Sequence, residues 1–353
     1  MKLLIITQSV DKNDENLGAF YYWWEKMAQH VDRLTIIASK VGAHHLPTNV
    51  AVYSLGKEQG RDWIGRIWKF VELFSDHYAR SDAVLFHQIP EFVLAAAPFL
   101  LGRKRIAALW YAHGSVSRRL RWAERLADHI FTSSELGFRI SSKKVFHLGQ
   151  AINTDLFYPV TSNPVTNHQL PVTGNGLRLI TVGRISPVKH YETIINALAI
   201  LRSQWGRSWT LSIVGGPITP GDYAYTEKIK GVIREKGLEN QIHFYGQRPY
   251  SEIAETLREH DLFLNVSRTG SLDKAVLEAM ACGLTVITSN EAYRTVLPPT
   301  YFLEQISPEF LAARIKSLAD EPRPNTALRE IVLRDHALEQ TVDRLFTLLS
   351  ARV

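Results

Sequence analysis

The chain has 353 residues, 45% hydrophobic and 22% charged, which is enough for two globular domains and unlike a disordered or fibrous protein. Its single cysteine, Cys282, excludes an intramolecular disulfide and favours a reducing, cytoplasmic setting. No apolar stretch reaches membrane-spanning length, and the first apolar run, Leu3–Ile6, indicates a strand rather than a signal peptide.

The net charge is +6, and residues 1–158 carry most of it, with 20 Lys and Arg against 15 Asp and Glu. Such an excess favours an anionic partner or is simply a solvated surface. No nucleic-acid-binding motif accompanies it, so we expect no nucleic-acid partner.

Short apolar runs alternate with helical patterns, which is typical of parallel sheets with helical crossovers. In the first half these runs are 3–7, 34–38, 83–86, 106–111, 130–133 and 145–148. In the second half they are 177–182, 210–214, 242–245, 262–266 and 286–288.

The pattern lapses over residues 159–176, which are rich in proline and glycine. We therefore predict a linker there, between Rossmann-like α/β domains over 1–158 and 177–336, while a last helix within 337–353 is expected to pack back on the first domain. Because ligands of open α/β sheets collect at the carboxyl ends of the strands, the two domains are expected to face each other across a cleft.

The segment from Val266 to Gly283 predicts a strand end, a loop and a helix over 273–282. The free N–H groups of the first helical turn favour an anion such as a diphosphate. Glu278 lies too deep in the helix to cap it, and it either accepts from a ribose diol or is an ordinary surface residue.

A second segment leaves the first strand of the second domain. Gly183 allows a close approach to the backbone, and Arg184 and Lys189 either converge on one polyanion or are two exposed cations beside a turn.

Three loops and one histidine complete the candidate site. Gly216 and Arg248 follow two strands of the second domain, and Gly18 closes a polar loop before the first helix, where a phosphate-bearing ligand could meet backbone N–H groups. His113 follows the strand 106–111 and is either a structural hydrogen-bonding group or a residue that reaches the ligand.

Taken together and in this order, these residues resemble glycosyltransferase family 4, a group of retaining enzymes with the two-domain GT-B fold. The resemblance covers most of the chain. Its motifs are the Gly18 loop, His113-Gly114, Ser133-Ser134-Glu135, the run 149–157, Gly183-Arg184-Ile185 with Lys189, and the run 277–283.

The resemblance implies that Arg184 and Lys189 hold the donor diphosphate and that Glu278 holds the ribose. It also implies that the Gly18 loop closes over the phosphates and that His113 lies near the transferred sugar. The donor would be lined by Gly183, Gly216, Arg248, Gly270, Ser271, Leu272, Asp273 and Lys274.

The sequence departs from the family at one position. The family commonly has a first glutamate eight residues before the ribose-binding one, and this chain has Gly270 there. Asp273 either takes over the sugar contact or caps the helix that follows.

The function that this resemblance implies is retaining, metal-independent hexosyl transfer from a UDP- or GDP-linked sugar in cell-envelope polysaccharide synthesis. The acceptor would be a glycan or lipid-linked molecule. The alternatives are an epimerase, a phosphorylase, or a scaffold that binds a nucleotide sugar without catalysis.

Two aromatic segments, 21–24 and 63–71, place aromatic residues among cations. They are either core residues of amphipathic helices or a surface that contacts the inner face of an acidic membrane.

Overall fold

A computed structural model of the chain describes residues 1–14, 17–101, 105–160 and 176–351. The chain divides into two compact units, the first made of Met1–Asn153 with Asp335–Val353 and the second of Thr154–Arg334. The first change of unit thus falls after Asn153, earlier than the boundary drawn after residue 158. Most of the predicted linker, 161–175, lies outside the described residues.

The first unit contains a parallel sheet with the strand order β3-β2-β1-β4-β5-β6-β7. Its strands are β1 (Lys2–Val10), β2 (Arg33–Val41), β3 (Val50–Ser54), β4 (Ala83–His87), β5 (Ile106–Trp110), β6 (His129–Thr132) and β7 (Val145–His147). Every one of these strands except β3 was predicted. The edge strand β3 is half-buried along its length and pairs with β2, so its apolar run is short and weak.

Helices cover both faces of this sheet: α1 (Ala19–Ala28), α2 (Trp63–Tyr78), α3 (Pro90–Ala95), α4 (Ala97–Leu100) and α5 (Arg118–Leu126). Because side chains alternate along a strand, β1 sends Leu3 and Ile5 to the core under α1 and sends Leu4 and Ile6 to the opposite core. Burial on both faces explains why the strand is apolar without interruption.

The second unit contains a parallel sheet with the strand order β10-β9-β8-β11-β12. Its strands are β8 (Leu177–Val182), β9 (Trp209–Val214), β10 (Ile242–Gly246), β11 (Leu262–Asn265) and β12 (Thr285–Thr288). Its helices are α6 (Tyr191–Gln204), α7 (Pro220–Glu235), α8 (Tyr250–Arg258), α9 (Lys274–Ala281), α10 (Pro308–Leu318) and α11 (Thr326–Asp335). The strand order reverses next to β8, whose carboxyl end therefore lies where ligands of such sheets bind.

The last helix, α12 (Leu338–Ser350), belongs to the first unit. Val342, Leu345 and Leu349 enter the same core as Trp23 and Trp24 of α1.

The two aromatic segments have different surroundings. Trp23 and Trp24 are buried, and the indole Nε1 of Trp23 donates to the carbonyl oxygen of Ala151 at 3.0 Å, so the segment 21–24 is part of the core. In α2, by contrast, Trp63 is 67% exposed and Trp68 is 72% exposed. The membrane interpretation is therefore wrong for the first segment and stays open for the second.

No helix among the residues that the structure describes is long and apolar enough to cross a membrane.

Candidate functional site

At the carboxyl edge of the second sheet, the ends of β8 and β9 meet through bare backbone. Gly183 follows β8 with φ 138°, and Gly215 follows β9 with φ 125°, conformations that favour glycine. A Cβ on Gly215 would collide with the carbonyl oxygen of Gly183. The two strand ends can therefore lie this close only with glycine at 215, and the N–H groups of Gly183 and Gly215 donate to the carbonyls of Val214 and Gly246.

Gly216 and Arg248 lie along the same edge, towards β10. A Cβ on Gly216 would stand 3.2 Å from the side chain of Gln247, so the two loops touch. The guanidinium of Arg248 lies 3.3 Å from the carboxylate of Glu252, one helical turn into α8. Arg248 also lines a cavity of about 420 Å³ beside α8, together with Tyr245, Glu252, Glu255, Thr256, Glu259 and His260.

Arg184 extends from the loop after β8 and is 43% exposed. Its Nε lies 3.9 Å from the carboxylate of Asp222, which closes the capping box of α7 with Thr219. The backbone N–H of Thr219 is the main cause that holds the pKa of Asp222 below its usual value, and Arg184 adds to it. Arg184 is thus close to one carboxylate but still open to solvent.

Lys189 is already paired. Its ammonium donates to Oδ2 of Asp273 at 2.8 Å, and both side chains are only 18% exposed. The single turn that carries Lys189 ends at His190 in the left-handed region, with φ 47°. The cation predicted to hold a diphosphate therefore has an internal carboxylate as its partner.

Asp273 immediately precedes α9, but its side chain does not cap that helix. Its carboxylate accepts instead from Asn265 at 2.9 Å and from Ser267 at 3.0 Å, besides Lys189. Burial opposes ionisation, but the Lys189 ammonium and these hydrogen bonds outweigh it and lower the pKa of Asp273. Helix capping by Asp273 is therefore wrong, and its Oδ1 accepts only a long hydrogen bond, from the hydroxyl of Thr269 at 3.4 Å, among the contacts of the described residues.

The rest of the loop shows why the usual glutamate does not stand at position 270. Gly270 is buried with φ 67°, where a side chain is strained. The carbonyl of Ser271 accepts from Asn290 at 2.8 Å, and the side chain of Leu272 is buried. Leu272 therefore packs in the core, and what it offers to a donor is its backbone.

Glu278 is buried within α9, so the interpretation as a surface glutamate is wrong. The hydroxyl of Tyr250 donates to its Oε1 at 2.7 Å. Burial raises the pKa of Glu278, although Tyr250 and the nearby Lys274 favour its ionised form. Burial also lowers the pKa of Lys274, and the Glu278 carboxylate offsets only part of that change.

The site residues predicted in the first unit lie at the carboxyl edge of its own sheet. His113 follows β5 and is exposed. The N–H of Gly18 donates to the carbonyl of Asp14 at 2.8 Å, so it is occupied within the loop. The hydroxyl of Ser133, at the end of β6, is buried without a hydrogen-bond partner among the described residues.

Lys189 contacts Asp273, another predicted site residue, whereas Arg184, Arg248 and Glu278 contact residues that the sequence analysis missed. Two of the missed partners had a local signal. Glu252 stands four residues after Arg248, and Asp222 stands three residues after Thr219. Tyr250 had none, because 28 residues separate it from Glu278.

Comparison with known proteins shows which family the second unit resembles. Residues 166–331, which all belong to the second unit, match the family described as glycosyl transferases group 1. This segment, called the group 1 segment below, is just under half of the chain. The group 1 segment includes Arg184, Lys189, Arg248, Asp273 and Glu278, whereas His113 and Gly18 lie outside it.

Curated relatives extend over part of the chain. The D-inositol 3-phosphate glycosyltransferase of Jonesia denitrificans is 29% identical over 157 residues, which cover 42% of this chain and 36% of the relative. The amylovoran biosynthesis glycosyltransferase AmsK of Erwinia amylovora is 32% identical over 123 residues, covering 33% and 28%. The first of these relatives and two further D-inositol 3-phosphate glycosyltransferases are matched over about a third to a half of their own length.

Solved structures match nearly the whole chain. Anabaena Alr3699/HepE in complex with UDP and glucose has a TM-score of 0.77 at 18% identity, covering 99% of this chain and 100% of that one. Sucrose-phosphate synthase from Thermosynechococcus elongatus has a TM-score of 0.78 at 18% identity, covering 99% and 98%. The chain therefore has the GT-B fold of two Rossmann-like domains, as predicted.

Proposed function

We propose that this chain is a retaining hexosyltransferase, which moves a sugar from a UDP- or GDP-linked donor to a glycan or lipid-linked acceptor in cell-envelope polysaccharide synthesis. One observation carries the proposal. The group 1 segment brings Arg184, Lys189 and the buried Glu278 to elements that begin at the carboxyl edge of one parallel sheet. Alr3699/HepE, which shares the fold, is a complex with UDP and glucose, and this supports a nucleotide-sugar donor.

In the proposed reaction, the bond between the anomeric carbon and the diphosphate oxygen breaks while the acceptor hydroxyl attacks the same carbon from the same face. The hydroxyl proton passes to the departing phosphate oxygen, so no protein nucleophile is required. Arg184, Lys189 and N–H groups at the start of α9 would stabilise the charge that develops on the leaving diphosphate. Because these cations supply that stabilisation, we expect no metal requirement.

Glu278 and Tyr250 are proposed to hold the ribose. Tyr250 occupies one oxygen of the Glu278 carboxylate, which orients the other oxygen. A carboxylate oriented in this way can accept from a ribose hydroxyl. In the first unit, exposed His113 would contact the transferred sugar, and the loop that ends at Gly18 would close over the phosphates.

Contact with the cytoplasmic face of a membrane belongs to the same proposal. In α2, Trp63, Ile64 and Trp68 are exposed beside Arg61 and Lys69. Exposed tryptophan among cations suits the interface of a bilayer with anionic lipids, where a lipid-linked acceptor would be found.

The first test is thermal unfolding of the protein with UDP, GDP and their sugars, because a ligand that binds the folded state raises the unfolding temperature. We expect stabilisation by one nucleotide class and its loss in Arg184→Ala and Glu278→Ala. No stabilisation by any of these compounds would contradict the donor site.

A product assay then separates the reactions. Transfer to an acceptor with retained configuration supports the proposal. An epimerised donor identifies an epimerase, phosphate-dependent cleavage of a glycoside identifies a phosphorylase, and binding without turnover across many acceptors identifies a scaffold.

A further inference from the structure

At the carboxyl edge of the second sheet, positive charge is largely compensated inside the protein. Lys189 donates to Asp273 at 2.8 Å, and Arg248 lies 3.3 Å from Glu252. Arg184 lies 3.9 Å from Asp222. A ligand anion therefore has to compete with a protein carboxylate at Lys189 and at Arg248, whereas the contact of Arg184 is longer and that side chain is 43% exposed.

Arg268 differs from these cations. It stands in the loop between β11 and α9, at the same carboxyl edge, and it is exposed. Its guanidinium makes no hydrogen bond or ion pair among the residues that the structure describes. Its donors are therefore open to a ligand.

The loop holds the backbone on both sides of Arg268. The hydroxyl of Ser267 donates to Asp273, and the carbonyl of Ser267 accepts from Ser289 at 3.1 Å. On the other side, the hydroxyl of Thr269 accepts from Asn290 at 3.1 Å. Because its neighbours are bonded into the fold, the backbone of Arg268 is fixed before a ligand arrives, which reduces the entropy lost on binding.

The same loop offers Arg268 no carboxylate of its own. Gly270 has no side chain, and its φ of 67° disfavours one. Oδ2 of Asp273 accepts from Lys189, Asn265 and Ser267, and its Oδ1 accepts from the hydroxyl of Thr269 at 3.4 Å.

We propose that Arg268 binds an anionic group of the donor and that Asp273 masks Lys189 in the ligand-free protein, so that Arg268 supplies accessible charge before Lys189 leaves Asp273 for the leaving diphosphate. The anionic group is either a phosphate of the nucleotide diphosphate or a carboxylate on the transferred sugar. Arg268 suits both groups, because a guanidinium forms paired hydrogen bonds with the oxygens of either one. The identity of the ligand as a donor rests on the proposed function.

The experiment measures dissociation constants for inorganic pyrophosphate, UDP, GDP, UDP-glucose and UDP-glucuronate. Wild type is compared with Arg268→Gln and with Arg234→Gln, a control that removes an exposed arginine from the last turn of α7. We expect Arg268→Gln to weaken binding about tenfold or more, the usual effect of losing a hydrogen bond to a charged group, and Arg234→Gln to change it less than twofold.

The pattern across ligands locates the group. If Arg268→Gln weakens the binding of every ligand, pyrophosphate included, Arg268 binds the phosphates. If it weakens the binding of UDP-glucuronate alone, Arg268 binds a sugar carboxylate. Equal binding by Arg268→Gln and Arg234→Gln for every ligand would overturn the role of Arg268, and it would leave the proposed function intact if UDP or GDP still binds.

The substitution Asp273→Asn tests whether Asp273 masks Lys189. The unfolding temperature of each variant without ligand shows whether that variant is folded. If Asp273 masks Lys189, then Arg268→Gln/Asp273→Asn regains part of the pyrophosphate affinity that Arg268→Gln loses. If the double variant is folded but regains no pyrophosphate affinity, Asp273 does not mask Lys189.

The wild type separates the two proposals. If pyrophosphate binds through Arg268 but no nucleotide binds, the anion site is supported and the assignment of a nucleotide-sugar donor is wrong. Binding of none of the five compounds would overturn both.

Discussion

The two sheets of this chain share their parallel α/β design but differ at their carboxyl edges. In the second unit, the edge is built from buried polar contacts, such as Lys189 with Asp273 and Glu278 with Tyr250. In the first unit, His113 stands exposed and the hydroxyl of Ser133 is buried without a partner among the described residues. The second edge therefore pairs these polar groups within the protein, whereas the first edge carries an exposed imidazole and an unpaired hydroxyl.

The largest expected effect is that of Arg184→Ala, which tests whether the edge of the second unit acts on a charged ligand. If the edge of the second unit stabilises the leaving diphosphate, this variant lowers kcat about 100-fold to 1000-fold, the usual effect of removing one charge-stabilising donor. Initial rates at saturating donor measure it, with Arg234→Ala as the control. A fall below tenfold would show that this edge is not where charge develops.

The second prediction concerns stability in the second unit. His260 is buried, its Nε2 lies 2.7 Å from the hydroxyl of Ser212, and burial lowers its pKa to about 4, although the carbonyl of Thr256 opposes this. The unfolded state, with a pKa of about 6.5, binds the proton first. The contribution of neutral His260 is therefore complete above pH 6.5 and declines towards pH 4 by about 3 kcal/mol in the free energy of unfolding.

Urea unfolding from pH 7.5 to pH 4 measures this decline. His260→Gln should flatten it, whereas the control His30→Gln, which changes a partly exposed histidine of the first unit, should not. An equal pH dependence in wild type and His260→Gln would exclude His260 as the cause.

The third prediction sharpens the comparison from the first unit. His113→Ala should lower kcat about tenfold, because one hydrogen bond to the sugar is lost, and should leave the dissociation constant of the nucleotide unchanged. Steady-state kinetics and nucleotide titration measure the two quantities separately. Weaker nucleotide binding with unchanged kcat would move His113 from the sugar to the diphosphate.

The smallest expected effect concerns the exposed face of α2. Trp68→Ser should weaken binding to vesicles that contain anionic phosphatidylglycerol about threefold to tenfold, because less apolar surface enters the interface. Tyr223→Ser, which changes an exposed aromatic residue of the second unit, is the matched control in a flotation assay. Equal flotation of the two variants would rule out this surface as the membrane contact.

Particular residues show how far sequence reasoning reached. The buried strands such as β1 and β8 were predictable, because burial on both faces leaves a continuous apolar run. The edge strand β3 was not, because it is only half-buried. The positions of Gly183, Arg184 and Lys189 at a strand end followed from local order in the sequence, and they remain predictions as donor ligands.

The partners of these residues were out of reach. Asp273 meets Lys189 across 84 residues and Glu278 meets Tyr250 across 28, so no local pattern announces either contact. Likewise, the aromatic segments 21–24 and 63–71 each carry two tryptophans, and only the tertiary packing buries Trp24 and exposes Trp68.

The sequence by itself determined the buried strands and the residue types available at each strand end, because these follow from periodicity and from the limited conformations of glycine and proline. Only the tertiary structure decided which charges meet. The crossover connections bring distant strand ends to one edge, where Lys189 meets Asp273 and Arg268 stays exposed. Lys189 is paired because a buried charge is unfavourable without a partner, whereas exposed Arg268 needs none and is open to a ligand.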